Sequence, residues 1–149
     1  MRVVVQRVNK SSVSVDGKVV GKVDEGFTLL VGFTHTDTIE DIKYMVKKIL
    51  NLRIMDDENG VMNKSILDAG GSILSISQFT LYGDAKKGNR PSYIKAFGGD
   101  KASPMFDQFN ELLREHIIVE TGIFGAVMIV NIENNGPFTI LLDTDERSS

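Results

Sequence analysis

The 149-residue sequence contains no cysteine and no tryptophan, and only three prolines and two histidines. Without cysteine there is no disulfide framework, no thiol nucleophile and no thiolate metal site. The histidines, His35 and His116, stand alone, with no His-Glu-x-x-His spacing between or around them. Two isolated histidines do not build the usual zinc site, so neither a metal nor any other cofactor is expected. No stretch approaches the ~20 consecutive apolar residues that cross a bilayer, which leaves no expected membrane partner. The opening Met1-Arg2-Val3-Val4-Val5-Gln6-Arg7 turns polar too soon for the apolar core of a signal peptide. With the missing cysteines, this makes the cytoplasm the expected location. A basic excess is missing too, since the formal net charge is −3. Proteins that grip long duplexes through phosphates are usually strongly basic, so any nucleic-acid contact here should be local, at an end or a loop. Neither a Gly-x-Ser-x-Gly elbow nor a P-loop is present, which removes the standard serine-hydrolase and nucleotide-triphosphatase readings.

What is present is the composition of an ordinary globular protein, 42% hydrophobic and 25% charged, in a length that suits one domain. The first thirty-odd residues read as strands rich in valine, with Asp16-Gly17 and Glu25-Gly26 as turns and Phe27 to Phe33 as a buried apolar strand. A helix follows, capped by Asp37 with Glu40 three positions on. Its buried stripe is Ile39, Ile42, Met45, Val46, Ile49 and Leu50. Asp56-Asp57-Glu58-Asn59-Gly60 reads as a solvated hairpin tip rather than an acidic metal cluster. Ile73 to Tyr82 reads as a strand. Ser103-Pro104 signals the start of a second helix, with Phe106, Phe109, Leu112, Leu113 and Ile117 buried. Two closing strands, Gly125 to Glu133 and Phe138 to Asp143, are predicted to flank an Asn134-Asn135-Gly136-Pro137 hairpin. The expected fold is a single α+β domain over residues 1–149, with a mainly antiparallel, barrel-like sheet and two long helices.

Three segments stand out chemically. In Ser77-Gln78-Phe79-Thr80 an apolar strand acquires three hydrogen-bonding side chains within four positions. Strand alternation would set Gln78 and Thr80 on one face and Ser77 and Phe79 on the other. The plain reading is a strand end whose polar groups satisfy one another. Asn135-Gly136-Pro137 needs no function beyond a turn, although X-Pro bonds can be cis in deliberate tight turns. The loop from Gly83 to Lys101 is long for a compact domain and carries Lys86, Lys87 and Arg90, a concentrated basic patch that is otherwise a solvated loop.

In this order, Ser77-Gln78-Phe79-Thr80-Leu81, Lys87-Gly88-Asn89-Arg90-Pro91-Ser92, Glu120-Thr121-Gly122-Ile123-Phe124-Gly125-Ala126 and Asn135-Gly136-Pro137 resemble the D-aminoacyl-tRNA deacylases of the bacterial type. The Met-Arg-x-Val-x-Gln-Arg-Val opening and Lys48 to Ile54 extend the likeness over essentially the whole chain. The resemblance implies a hydrolase that cleaves the ester of D-aminoacyl-tRNA, and of glycyl-tRNA, while sparing the L form. It implies a homodimer with active sites at the subunit interface, where a cis Gly136-Pro137 from one subunit filters chirality in the other's pocket. Ser77, Gln78, Phe79 and Thr80 would surround the scissile ester, with the Phe79 and Thr80 backbone N–H groups as oxyanion donors. Lys86, Lys87, Arg90, Phe124, Ala126 and Met128 are the candidates for holding the 3′-terminal aminoacyl-adenosine. Water attack assisted by the tRNA 2′-hydroxyl is the expected chemistry, with Thr80 as nucleophile the alternative. The competing reading of another class is a non-catalytic dimeric module that binds aminoacyl-tRNA ends.

Overall fold

The valine-rich alternation at the start of the chain produces one long strand, Arg2–Val15 (β1), on which the rest of the sheet is assembled. The computed structural model describes residues 1–147; Ser148 and Ser149 lie outside the described residues. Asp16 and Gly17, at φ 50° and 77°, reverse the chain into Lys18–Val23 (β2), as a type I′ hairpin requires. The second half of β1 pairs with β2, and its first half pairs antiparallel with Gly26–Gly32 (β3). Chain order then brings the helix Ile39–Asn51 (α1), a small hairpin of Met55–Asp56 (β4) and Met62–Lys64 (β5), and a short turn of helix, Ile66–Ala69 (α2). Ser72–Ser77 (β6) lies parallel to β3, and Val119–Thr121 (β7) lies parallel to β6. The helix Gly99–Arg114 (α3) connects those two, and Ile129–Asp143 (β8) closes the chain antiparallel to β1.

The sheet order β2-β1-β3-β6-β7, with β8 on β1, nearly closes into a barrel. At the closing seam a Cβ on Gly21 of β2 would stand 2.7 Å from the Thr121 carbonyl of β7, so only glycine permits this approach. Antiparallel pairs carry β1, whereas β3, β6 and β7 run parallel, as the intervening helices allow. Alternation then sorts side chains into two cores. Val8, Val13, Val23, Leu74 and Ile76 fill the barrel side, while Val3, Val5, Phe27, Leu29, Val31 and Ile73 face α1 and α3. Most of the expected helical stripes are buried there: Ile42, Met45, Val46, Ile49 and Leu50 from α1, and Phe106, Phe109 and Leu113 from α3. Ile39 and Leu112 are only partly buried, and Ile117, also partly buried, lies beyond the end of α3.

Four local expectations are corrected. α1 is capped by Thr38, whose N–H donates to Asp41 Oδ2 at 2.9 Å, one residue later than Asp37 with Glu40. The Asp37 carboxylate instead accepts from the Thr34 N–H at 2.7 Å, shaping the loop before the helix. α3 starts at Gly99 and takes Ser103-Pro104 inside it. Proline's φ suits a helix, and this near the start its missing N–H removes only the bond to residue 100. β6 ends at Ser77 and the chain turns into a 3-10 helix over Phe79–Tyr82, so the alternation expected through Tyr82 stops. Finally, no hairpin forms at Asn134–Pro137, because β8 is one strand that pairs with β1 on both sides of that segment.

Candidate active site

β3 and β6 run parallel, so both carboxyl ends arrive at the same place, the usual position for a ligand in parallel sheets. A cavity of about 390 Å³ lies there. Its floor is Val31, Gly32 and Phe33 from the end of β3, and one wall is Ser77, Gln78 and Phe79 from the end of β6. The start of α3 supplies Gly98, Gly99 and Ala102, and the loop before β8 supplies Phe124 and Gly125. Tyr93 and Phe97 complete a mostly apolar lining, the usual character of a small-molecule site.

Two backbone donors stand at this wall, one on Phe79 in the lining and one on exposed Thr80 just beyond it. Gln78 precedes the 3-10 helix without a side-chain cap, and the first bond within it runs from the Leu81 N–H to the Gln78 carbonyl at 3.3 Å. The Phe79 and Thr80 N–H groups come before that bond, so the helix itself gives them no acceptor. The Gln78 amide Nε2 donates to Thr80 Oγ1 at 3.0 Å. No histidine or carboxylate among the described residues hydrogen-bonds this hydroxyl. His35 Nε2 is engaged with the Ile94 carbonyl at 2.8 Å, and His116 borders a groove between α1 and α3.

Arg2 anchors the far end of the same turn. Its Nη1 donates to the Leu81 carbonyl and its Nε to Asp143 Oδ2, both at 2.9 Å, while the guanidinium lies 4.5 Å from the Tyr82 ring centre. The hydrogen bond to Asp143 raises the Arg2 pKa above its ordinary value. Burial, with nearby Asp37 and Asp143, pushes the Tyr82 phenol up, so it stays protonated and is no base.

Gly136 and Pro137, joined by a cis bond, do not line this cavity. The pairing of β1 with β8 steps from Gln6↔Thr139 to Val8↔Asn134, so Arg7 alone faces residues 135 to 138, which bulge from the strand. The Asn134 side chain ties the neck, accepting the Phe138 N–H at 2.8 Å and donating to Thr139 Oγ1 at 3.1 Å. Arg7 holds the bulge from beneath through Nε to the Asn135 carbonyl at 3.1 Å. A Cβ on Gly136 would stand 3.0 Å from the Phe138 nitrogen and 3.3 Å from Arg7 Nη2, and the φ of 137° is one that L side chains rarely adopt, so any other residue here would be strained. Arg7 is opposite Phe27, five residues before Gly32, and at ~3.3 Å per residue this is roughly 17 Å from the cavity end of β3.

Of the residues expected to hold the tRNA end, Phe124 lines the cavity and packs on Phe106 at 6.0 Å between ring centres. Met128 packs instead against the barrel-side core, and Ala126 is outside the lining. Lys86, Lys87 and Arg90 are exposed on a loop closed by paired Asp84 and Ser92 main-chain bonds, each 2.8 Å. Arg2 and Arg7 belong to the Met-Arg-x-Val-x-Gln-Arg-Val opening, which carries no role by itself, and Phe33, Tyr93, Phe97 and Ala102 lie outside the site motifs. The aromatic Tyr93 and Phe97 inside an otherwise polar loop were the signal available.

The Lys86 backbone N–H, 2.9 Å from Asp84 Oδ1, holds that carboxylate below its usual range, and Lys95 at 3.6 Å adds to the effect. A depressed folded-state pKa stabilises the loop above the ordinary carboxylate value of ~4 and loses that contribution as pH falls through the depressed value. The Lys86 amide resonance should therefore hold its position down to about pH 4 and move only below it. In Asp84→Asn the same titration should be flat. An unchanged profile in that variant would remove Asp84 as the cause.

The family model described as D-Tyr-tRNA(Tyr) deacylase matches residues 4–143. A D-aminoacyl-tRNA deacylase of Clostridium perfringens is 58% identical over 99% of both chains. One of Thermus aquaticus is 50% identical over 99% of this chain and 97% of the relative. Among solved structures, one titled c-Myc DNA unwinding element binding protein superposes with a TM-score of 0.92 at 40% identity, covering 97% of this chain and 99% of the other. A probable eukaryotic D-amino acid tRNA deacylase, 20% identical, shares the fold at a TM-score of 0.82, covering 95% of this chain and 97% of the other. The chain belongs to the D-Tyr-tRNA(Tyr) deacylase family.

Proposed function

We propose that the protein edits mischarged tRNA in the cytoplasm, hydrolysing the ester that joins a D-amino acid or glycine to the terminal ribose and sparing L-amino acids. Its family makes it a D-aminoacyl-tRNA deacylase, a hydrolase acting on aminoacyl-tRNA. The finer reading concerns how it acts. The observation that carries it is the wall Ser77–Phe79 in an apolar cavity, next to two N–H groups without a helical acceptor. An aminoacyl ester is already reactive, so a site that positions it and stabilises the developing oxyanion supplies most of what is needed. The Phe79 and Thr80 N–H groups are the donors in this reading. The terminal 2′-hydroxyl assists water, and Thr80 orients. Phe124 backs the terminal adenine, and Lys86, Lys87 and Arg90 meet phosphates.

Chirality is read by exclusion. Carbonyls of the Gly136-Pro137 bulge clash with an L side chain, whereas a D side chain points elsewhere and glycine has nothing to clash. The bulge lies far from its own chain's cavity, so a second copy delivers it, and the working form is a homodimer. The edge of β8 that is unpaired among the described residues, with exposed Val127, Ile129 and Leu141 nearby, supports that association. The test is amino-acid release from matched D-tyrosyl-, L-tyrosyl- and glycyl-tRNA with a chelator present. Turnover of the D and glycyl forms with the L form spared is expected. Equal hydrolysis of D and L forms would remove the filter, and binding without turnover would make the protein a carrier of tRNA ends.

A further inference from the structure

At the mouth of the cavity Phe79 and Tyr93 face solvent at 57% and 43% exposure, and Ile94, next in the chain to Tyr93 and outside the lining, is 78% exposed. They are held in place. The Phe79 and Tyr93 rings meet edge to face, with centres 5.1 Å apart and planes at 72°. Tyr93 also lies against the backbone of Gly83, where a Cβ would stand 3.1 Å from its ring. The segment behind them is pinned to the loop after β3. The Thr34 hydroxyl donates to the Lys95 carbonyl at 2.5 Å, His35 Nε2 bonds to the Ile94 carbonyl, and the Phe97 N–H donates to the Phe33 carbonyl at 3.0 Å. Aromatic side chains that are ordered yet left in water mark a surface that something covers.

Charge says what covers it. The loop that leads into Tyr93 presents Lys86, Lys87 and Arg90, with no ion pair to any of them among the described residues. Three unpaired cations within five positions, on a chain whose net charge is −3, are a local attraction for a polyanion. A second copy of the chain carries only three net negative charges over 149 residues and so matches such a loop less densely than a strand with one phosphate per nucleotide. Aromatic faces beside cations are the usual means of holding a single nucleic-acid strand, by stacking bases and pairing phosphates.

We propose that Phe79, Tyr93 and Ile94 form a stacking subsite for the base of the nucleotide preceding the terminal adenosine, with Lys86, Lys87 and Arg90 taking the phosphates of the strand. The inference rests on the reading that the cavity receives the terminal aminoacyl-adenosine. The strand leaving that cavity then passes over the aromatic shelf and continues along the cationic loop. The protein thus reads the single-stranded end as an ordered dinucleotide or longer, and the last nucleoside alone is an incomplete substrate.

The experiment compares D-tyrosyl-tRNA with the D-tyrosyl ester of adenosine, which lacks every upstream nucleotide. For Tyr93→Leu, the ratio of kcat/KM on tRNA to that on the nucleoside ester should fall about tenfold, the scale of one lost base stack. Tyr93→Phe, which keeps the ring, should restore the ratio. Charge removal in Lys86→Gln/Lys87→Gln/Arg90→Gln should lower the same ratio and flatten the salt dependence on tRNA, by roughly 0.7 in logarithmic slope per lost contact. Loss of activity on both substrates in proportion would make Tyr93 a wall of the cavity only. A ratio within twofold of the parent, or a shift in oligomeric state with Tyr93→Leu, overturns the subsite. If the parent hydrolyses neither substrate, the editing reading fails. The subsite is then read from affinity for a fluorescent oligoribonucleotide ending in CCA, which Tyr93→Leu should weaken and an intact shelf without function would not.

Discussion

Replacement of Arg7 by methionine is expected to lower the turnover of D-aminoacyl-tRNA at least tenfold, to narrow the preference for D over L, and to reduce folding stability by about 2–4 kcal/mol. Arg7 is the one β1 residue facing the four-residue bulge, and its side chain is only 10% exposed. Nη1 donates to the Ile54 carbonyl at 2.9 Å and reaches Asp56 Oδ1 at 3.3 Å, while Nε donates to the Asn135 carbonyl. Methionine keeps much of the apolar contact with Phe138, whose ring centre is 5.5 Å from the guanidinium carbon, but leaves two carbonyls without their donor. Each such carbonyl costs about 1–3 kcal/mol when water does not replace the lost partner. Asp56 is half-exposed and contributes little to the total. Arg7→Lys, able to satisfy one carbonyl at a time, should fall between the two. Denaturant unfolding and single-turnover deacylation separate the effects. If stability drops while folded protein keeps its rate and its D over L preference, Arg7 only supports the fold and the bulge has no part in chirality.

That bulge also explains where sequence reasoning worked and where it stopped. Helical stripes are periodic over several turns, so Ile42, Met45, Val46, Ile49 and Leu50 could be assigned to the core from spacing alone. The Asp16-Gly17 hairpin was equally legible, because adjacent positive φ values have few residue solutions. The Asn-Asn-Gly-Pro segment carries the same local chemistry but reads falsely as a chain reversal. Its outcome depends on β1, more than a hundred residues earlier, being long enough to pair on both sides of it. The α3 start shows the converse: Ser103-Pro104 is a good helix-start signal, yet the Gly98-Gly99 segment already bends into the helix at the cavity. At the site, Ser77 to Thr80 was legible as an oddly polar strand end. The cavity itself was not, since Phe33, Phe97 and Ala102 meet only through the parallel pairing of β3 with β6 and the docking of α3.

A tRNA ending in 2′-deoxyadenosine, carrying the D-amino acid on its 3′-oxygen, is expected to be hydrolysed about 10²–10⁴ times more slowly than its ribose counterpart. Thr80→Ala on the natural substrate should cost no more than about tenfold, the scale of one lost orienting hydrogen bond. The contrast follows from what surrounds the hydroxyl. A threonine nucleophile needs a base to take its proton, and the group that contacts Thr80 Oγ1 is the Gln78 amide, which donates to it at 3.0 Å and accepts nothing through that nitrogen. The N–H groups assigned to the oxyanion belong to the main chain, so alanine at position 80 leaves them in place. In the proposed mechanism a hydroxyl adjacent to the ester, supplied by the substrate, assists water instead. The opposite pattern would reverse the mechanism. Normal hydrolysis of the deoxy substrate, with turnover abolished in Thr80→Ala and an acyl-enzyme trapped by acid quench of the parent, would make Thr80 the nucleophile and require Gln78 to turn away from it during the reaction.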